Sequence, residues 1–100
     1  MRMMLKTQLE VQAASLAIND GSLEKAFAEV FAACQPEAVY FCTENGDRTV
    51  YAIFDMKDPS IIPVLAEPLF QTLGAKVYFN PVMVQPELET GIKTWAAKHH

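Results

Sequence analysis

Histidine is confined to the last two positions, His99 and His100. The body of the chain therefore has no imidazole to serve as base, metal ligand or pH sensor. The terminal pair is compatible with a native end or with a purification-tag remnant, and it carries no weight in the fold or the site. Cysteine is nearly as scarce: Cys34 and Cys42 are too few for a disulfide framework and lack the spacing of a zinc motif, so two free, partly buried thiols are expected. Four glycines form neither a phosphate-cradling loop nor a G-x-S-x-G elbow. Positive charge is in deficit, with 8 Lys and Arg against 12 Asp and Glu, a net charge of −4. Without a basic stripe, neither nucleic acid nor an anionic membrane is an expected partner. No apolar run reaches the ~18–20 residues of a membrane span. At the start of the chain, Met1-Arg2-Met3-Met4-Leu5-Lys6 meets its second basic residue too soon for a signal-peptide core. The expected location is the cytoplasm, and no metal or cofactor is called for.

What is present in quantity is apolar: 51% of 100 residues are hydrophobic. The length fits one domain, residues 1–100. So small a domain hides a limited fraction of its surface. Either its core is unusually rich or part of its apolar surface is covered by a partner.

Residues 3–11 alternate, with Met3, Leu5, Thr7, Leu9 and Val11 on one side and Met4, Lys6, Gln8 and Glu10 on the other. Period two predicts a strand with unlike faces. A helical stretch in two pieces follows. The first runs from Ala13 to Asn19. Asp20-Gly21-Ser22 then interrupts it, and Ser22 is a suitable N-cap for the second. Leu23, Ala26, Phe27, Val30, Phe31 and Cys34 form one apolar stripe that Pro36 ends. Residues 38–43 and 48–55 read as a hairpin, because Asn45-Gly46 suits a type I′ turn. That turn pairs residues whose numbers sum, like those of Asn45 and Gly46, to 91. Tyr40 then faces Tyr51, and Cys42 faces Thr49. A helix is predicted from about Ser60 to Leu73, capped by Asp58 or Ser60, with Pro68 kinking it beside Glu67. A last strand, Lys76 to Met83, carries Pro81, which suits an edge. After Pro86, the spacing of Leu88, Ile92 and Trp95 predicts a short terminal helix whose tryptophan anchors it on this chain or its mate.

Strand, helix, strand, strand, helix, strand, and a short C-terminal helix describe an α+β, ferredoxin-like β-α-β-β-α-β unit with both main helices on one face of an antiparallel sheet. The hairpin is apolar or aromatic on both sides, although only one side can lie under the helices. The other carries Lys6, Gln8, Tyr40, Cys42, Thr49, Tyr51 and Ile53, with Tyr78 expected beside them. A continuous apolar patch of this kind is rare on a monomer, so a homodimer with opposed sheets is expected.

Several strings in this order resemble those of a group of small uncharacterised bacterial proteins. They are Asp20-Gly21-Ser22-Leu23, Pro36-Glu37-Ala38-Val39-Tyr40-Phe41, Asn45-Gly46-Asp47-Arg48-Thr49 and Phe54-Asp55-Met56-Lys57-Asp58-Pro59-Ser60, followed by Ile62-Pro63 and Ala66-Glu67-Pro68. The likeness runs from about residue 10 to residue 88. It implies the ferredoxin-like, dimeric α+β barrel superfamily, which includes antibiotic-biosynthesis-type monooxygenases, muconolactone isomerases and stress-responsive barrel proteins. It implies no activity for this group. A haem-degrading branch of that superfamily ligates iron through histidine, which the body of this chain lacks.

The candidate ligand-binding residues are therefore Lys6, Gln8, Tyr40, Cys42, Tyr51 and Tyr78. The tyrosines can donate to an aromatic or quinone-like molecule, and Lys6 can stabilise an oxyanion. Cys42, beside Thr49, is a weaker redox candidate that depends on Lys6 lowering its pKa. Three functions are compatible with this face: a homodimeric module binding a small apolar or aromatic ligand, a cofactor-independent monooxygenase or isomerase, and a structural dimer with a filled interior. Glu37, Glu67, Asp47 and Arg48 read as surface or turn residues.

Overall fold

The computed structural model describes residues 1–99. Its elements are β1 (Arg2–Leu9), α1 (Val11–Asp20), α2 (Ser22–Cys34), β2 (Ala38–Glu44), β3 (Asp47–Asp55), α3 (Ile61–Leu73), β4 (Lys76–Pro81) and α4 (Gln85–His99). The protein is of the α+β class. Its strands form one antiparallel sheet in the order β2-β3-β1-β4, which leaves β2 and β4 as edges.

Along β1 the alternation is complete: Met3, Leu5, Thr7 and Leu9 are buried, and the residues between them are half-buried. Met3 faces Phe54, Leu5 faces Ala52 and Thr7 faces Val50 on the adjacent central strand. The helices cover this side with Ala14 and Ala17 of α1, Ala26, Phe27, Val30 and Cys34 of α2, and Leu65, Ala66, Leu69 and Leu73 of α3. One apolar core thus lies on one side of the sheet. Among the described residues, no helix contributes buried residues to the opposite side.

Several expected boundaries move, each for a local reason. The first strand stops at Leu9 rather than residue 11, because Glu10 turns out to be a helix cap. Its carboxylate accepts hydrogen bonds from the backbone N–H groups of Gln12 and Ala13, at 3.0 and 2.8 Å. This starts α1 at Val11, two residues before the expected Ala13. The joint between α1 and α2 is Gly21, whose φ of +82° ends one helix and begins the next. Ser22 is consequently the first residue of α2 and not its cap, and its N–H donates to Asp20. The two pieces of the expected helical stretch are two separate helices, so the order is β-α-α-β-β-α-β-α where the β-α-β-β-α-β description counts them as one. Ser60 precedes α3 without a capping side-chain bond, and α3 runs through Pro68. The last strand ends at Pro81, short of Met83, and Pro81 lies on an edge as its missing N–H requires. The terminal helix begins before Pro86 and extends over 15 residues, so it is not short.

The hairpin adopts the expected register, with Tyr40 opposite Tyr51 and Cys42 opposite Thr49. Asn45 and Gly46 both take positive φ, +54° and +80°, as a type I′ turn demands. Alanine at Gly46 is expected to cost about 1–2 kcal/mol, because a Cβ is strained in that conformation. A lowered urea midpoint with an unchanged m value would register it. An unchanged midpoint would show that the turn does not set the register.

Candidate functional site

On the uncovered side of the sheet, register alone assembles one row across all four strands. Tyr40 of β2 faces Tyr51 of β3, Tyr51 faces Lys6 of β1, and Lys6 faces Tyr78 of β4. The next row is Cys42, Thr49, Gln8 and Lys76, and the row on the other side is Ala38, Ile53, Met4 and Asn80. All six candidate residues thus lie on this face in two adjacent rows. Tyr40 is 63% exposed and Tyr78 is also exposed, whereas Lys6, Gln8 and Tyr51 are half-buried.

The centre of the face is a three-residue network. Glu44, at the end of β2, accepts a hydrogen bond from the Tyr51 hydroxyl and forms an ion pair with the Lys6 ammonium. The ammonium lies 5.1 Å from the Tyr78 ring centroid and 6.0 Å from that of Tyr51, within reach of both ring faces. Beside this network, Gln8 donates to Asp47 at 3.1 Å, tying β1 to the start of β3. Glu44 was absent from the expected set, although it shares the even-numbered parity of Tyr40 and Cys42 along its strand. Parity could have found it.

Other expectations change at this stage. Cys42 is exposed rather than partly buried, because β2 is an edge strand with a neighbour on one side only. The Lys6 charge is taken up by Glu44, which weakens the case for Lys6 activating Cys42. Cys34 is buried, and burial pushes its thiol above the ordinary range. Arg48 does more than flank the turn: its guanidinium donates to the Val11 carbonyl and the Ser15 hydroxyl of α1, at 3.3 and 3.1 Å. Glu37 accepts from Arg2 at 2.8 Å near the sheet end, and Glu67 accepts from Gln71 on α3. Trp95 stacks on His99, with ring centroids 4.6 Å apart, and remains 54% exposed.

The central network has a pH signature. The hydrogen bond from Lys6, and then that from Tyr51, holds the Glu44 carboxyl below its usual range. Glu44 in turn raises both Lys6 and Tyr51 above theirs. A depressed carboxylate contributes stability that is present above its unfolded pKa and lost as pH falls through its folded one. The raised Lys6 and Tyr51 contribute stability that is full below their unfolded values and lost as pH rises through their folded ones. Glu44→Gln is therefore expected to lower the titration of Tyr51 and to flatten both limbs of the stability profile. Ring NMR shifts of Tyr51 against pH provide the check, and an unmoved Tyr51 titration would break the network.

The described residues contain no group of three or more His, Cys, Asp or Glu able to hold a metal ion. No helix among them is long and apolar enough to cross a membrane. Compared with family models and with curated proteins, the chain matches none.

Proposed function

We propose that two copies of this chain pair through their uncovered sheet faces and enclose a small apolar or aromatic molecule between them. The observation that carries this reading is the row Tyr40–Tyr51–Lys6–Tyr78. It sets three aromatic rings and one amine across the middle of a sheet face that no helix covers. A surface of that composition is costly in water and is suited to a ligand with a flat ring and a polar substituent. Opposed sheets pack about 10 Å apart, which leaves room for side chains or a planar guest.

The strand order β2-β3-β1-β4 with antiparallel neighbours supports a ferredoxin-like arrangement, since two interleaved βαβ halves joined by a hairpin generate it. The dimeric α+β barrel superfamily is the corresponding class, and the cytoplasm, where free thiols persist, is its proposed location. Fold likeness does not itself supply chemistry.

Binding of a naphthol probe, followed by calorimetry, tests the site. Lys6→Met removes a charged hydrogen-bonding group and should weaken the probe about tenfold or more. Tyr51→Phe should weaken it less, by removing one neutral hydroxyl. Affinity unchanged in both variants would place the ligand elsewhere.

A second reading, a cofactor-independent monooxygenase or isomerase, is favoured by one specific observation. Lys6 and Tyr51 converge on the Glu44 carboxylate, so an ammonium and a hydroxyl together already hold one oxyanion, and a substrate oxyanion would take the place of Glu44 between them. Under that reading both substitutions lower turnover, and turnover that survives both would exclude this face as the catalytic one.

A further inference from the structure

The helical side of the molecule has an unfilled place. Beyond α2, toward edge strand β2, an apolar groove of about 450 Å³ is floored and walled by Leu23, Phe27, Phe31, Phe41 and Val50. Phe41 points to this side, opposite buried Val50, yet it is 71% exposed. The core-facing side of β2 is therefore incompletely covered by its own helices. Glu24 and Arg48 are its charged lining residues.

At the opposite edge of the sheet the chain presents a surface of matching kind. α4 leaves β4 after a three-residue link and buries none of its described residues. Leu88 and Ile92 on one stripe are exposed, with the half-exposed Trp95 a turn further on. Met83 and Val84, just before the helix, are exposed too. The molecule measures 58 × 29 × 18 Å, and its radius of gyration is 16.4 Å, against about 13 Å for a compact chain of this length. α4 is an arm, about 22 Å long at the α-helical rise.

We infer that the α4 arm of one copy occupies the groove between α2 and β2 of a second copy, reciprocally. Its own groove lies at the opposite edge of the sheet, three strand spacings or about 14 Å away. An arm returning over the helical side would also have to cross α3 and α2, which pack together there. The inference rests on the self-pairing proposed above, and the geometry of that pairing favours it. When two sheets oppose about a two-fold axis parallel to their strands, the β4 edge of each lies against the β2 edge of the other. The arm leaving β4 then begins beside the partner copy's groove. The match between arm and groove is one of apolar surface, because the two charged residues lining the groove, Glu24 and Arg48, are of opposite sign. Both surfaces are self-supplied, as a closed two-fold exchange requires.

The test mixes two full-length chains. One is isotopically heavy and carries Ile92→Cys with Cys42→Ser. The other is unmodified, with Cys42 exposed at the groove. A short bis-maleimide is expected to join position 92 of the heavy chain to Cys42 of the light one, read by peptide mass spectrometry. In a separate experiment, Ile92→Asp should raise the dissociation constant at least tenfold by sedimentation. Ile92 is exposed, so the fold should survive, and circular dichroism checks this. A two-chain mass with no such link, and association indifferent to Ile92→Asp, would overturn the arm and leave the sheet pairing standing. A single-chain mass at micromolar concentration would overturn both.

Discussion

Replacing Phe54 by alanine is expected to cost about 3–5 kcal/mol, the range for truncating a large buried aromatic. Phe54 is fully buried in the central strand β3, opposite Met3 and under the helical layer. Its ring cannot be replaced by collapse of one neighbour, because strands on both sides of β3 hold the backbone in register. A domain of this size has about 5–15 kcal/mol to lose, so the variant should sit near the limit of folding. Urea denaturation measures it: the midpoint should fall sharply while the m value holds. A loss below 1 kcal/mol would mean that the core is not centred between β3 and the helices.

The second large effect concerns association. Tyr40→Asp places a carboxylate in the row proposed as the heart of the interface, on an edge strand where Tyr40 is already 63% exposed. The monomer should tolerate it. Loss of an aromatic anchor at a well-packed interface, typically 2–4 kcal/mol, corresponds to about two orders of magnitude in the dissociation constant. Burial of an unpaired charge adds to that loss. Val64→Asp, on an exposed position of α3, is the control and should leave association unchanged. Equal behaviour of the two variants in sedimentation equilibrium would remove the open sheet face from the interface.

Most of the fold was legible because its strongest signals are local. Asn45-Gly46 determined the hairpin register, and the period-two pattern of residues 3–9 separated the two faces of β1. The stripe from Leu23 to Cys34 located α2. Errors arose where one residue type serves two roles. Glu10 continues the strand alternation by parity, but its carboxylate caps α1, so the strand ends at Leu9, two positions before the expected residue 11. Ser22 is a strong capping type, yet Gly21 alone can supply the left-handed turn between two abutting helices. At the C-terminus, Leu88, Ile92 and Trp95 revealed a helix but not its separation from the body, since an apolar stripe reads alike whatever packs on it.

The candidate face was legible for the same reason as the hairpin. Once register is known, Lys6, Tyr40, Tyr51 and Tyr78 fall into one row by arithmetic. Glu44 was harder, because a carboxylate beside a turn reads as solvated. Its pairing with Lys6 and Tyr51 depends on side-chain reach across two strands. The groove beside Phe41 was not legible at all. It depends on where α2 stops covering the sheet, which is a property of packing rather than of any segment.

The account turns on two copies holding a small molecule between their open faces. Native mass spectrometry of the protein purified without denaturation from its own host tests it most directly. The account predicts an ion of twice the chain mass plus a fixed small-molecule increment, and that increment should be lost in Tyr40→Asp. A single-chain ion would contradict the pairing, and a bare two-chain ion would contradict the enclosed ligand.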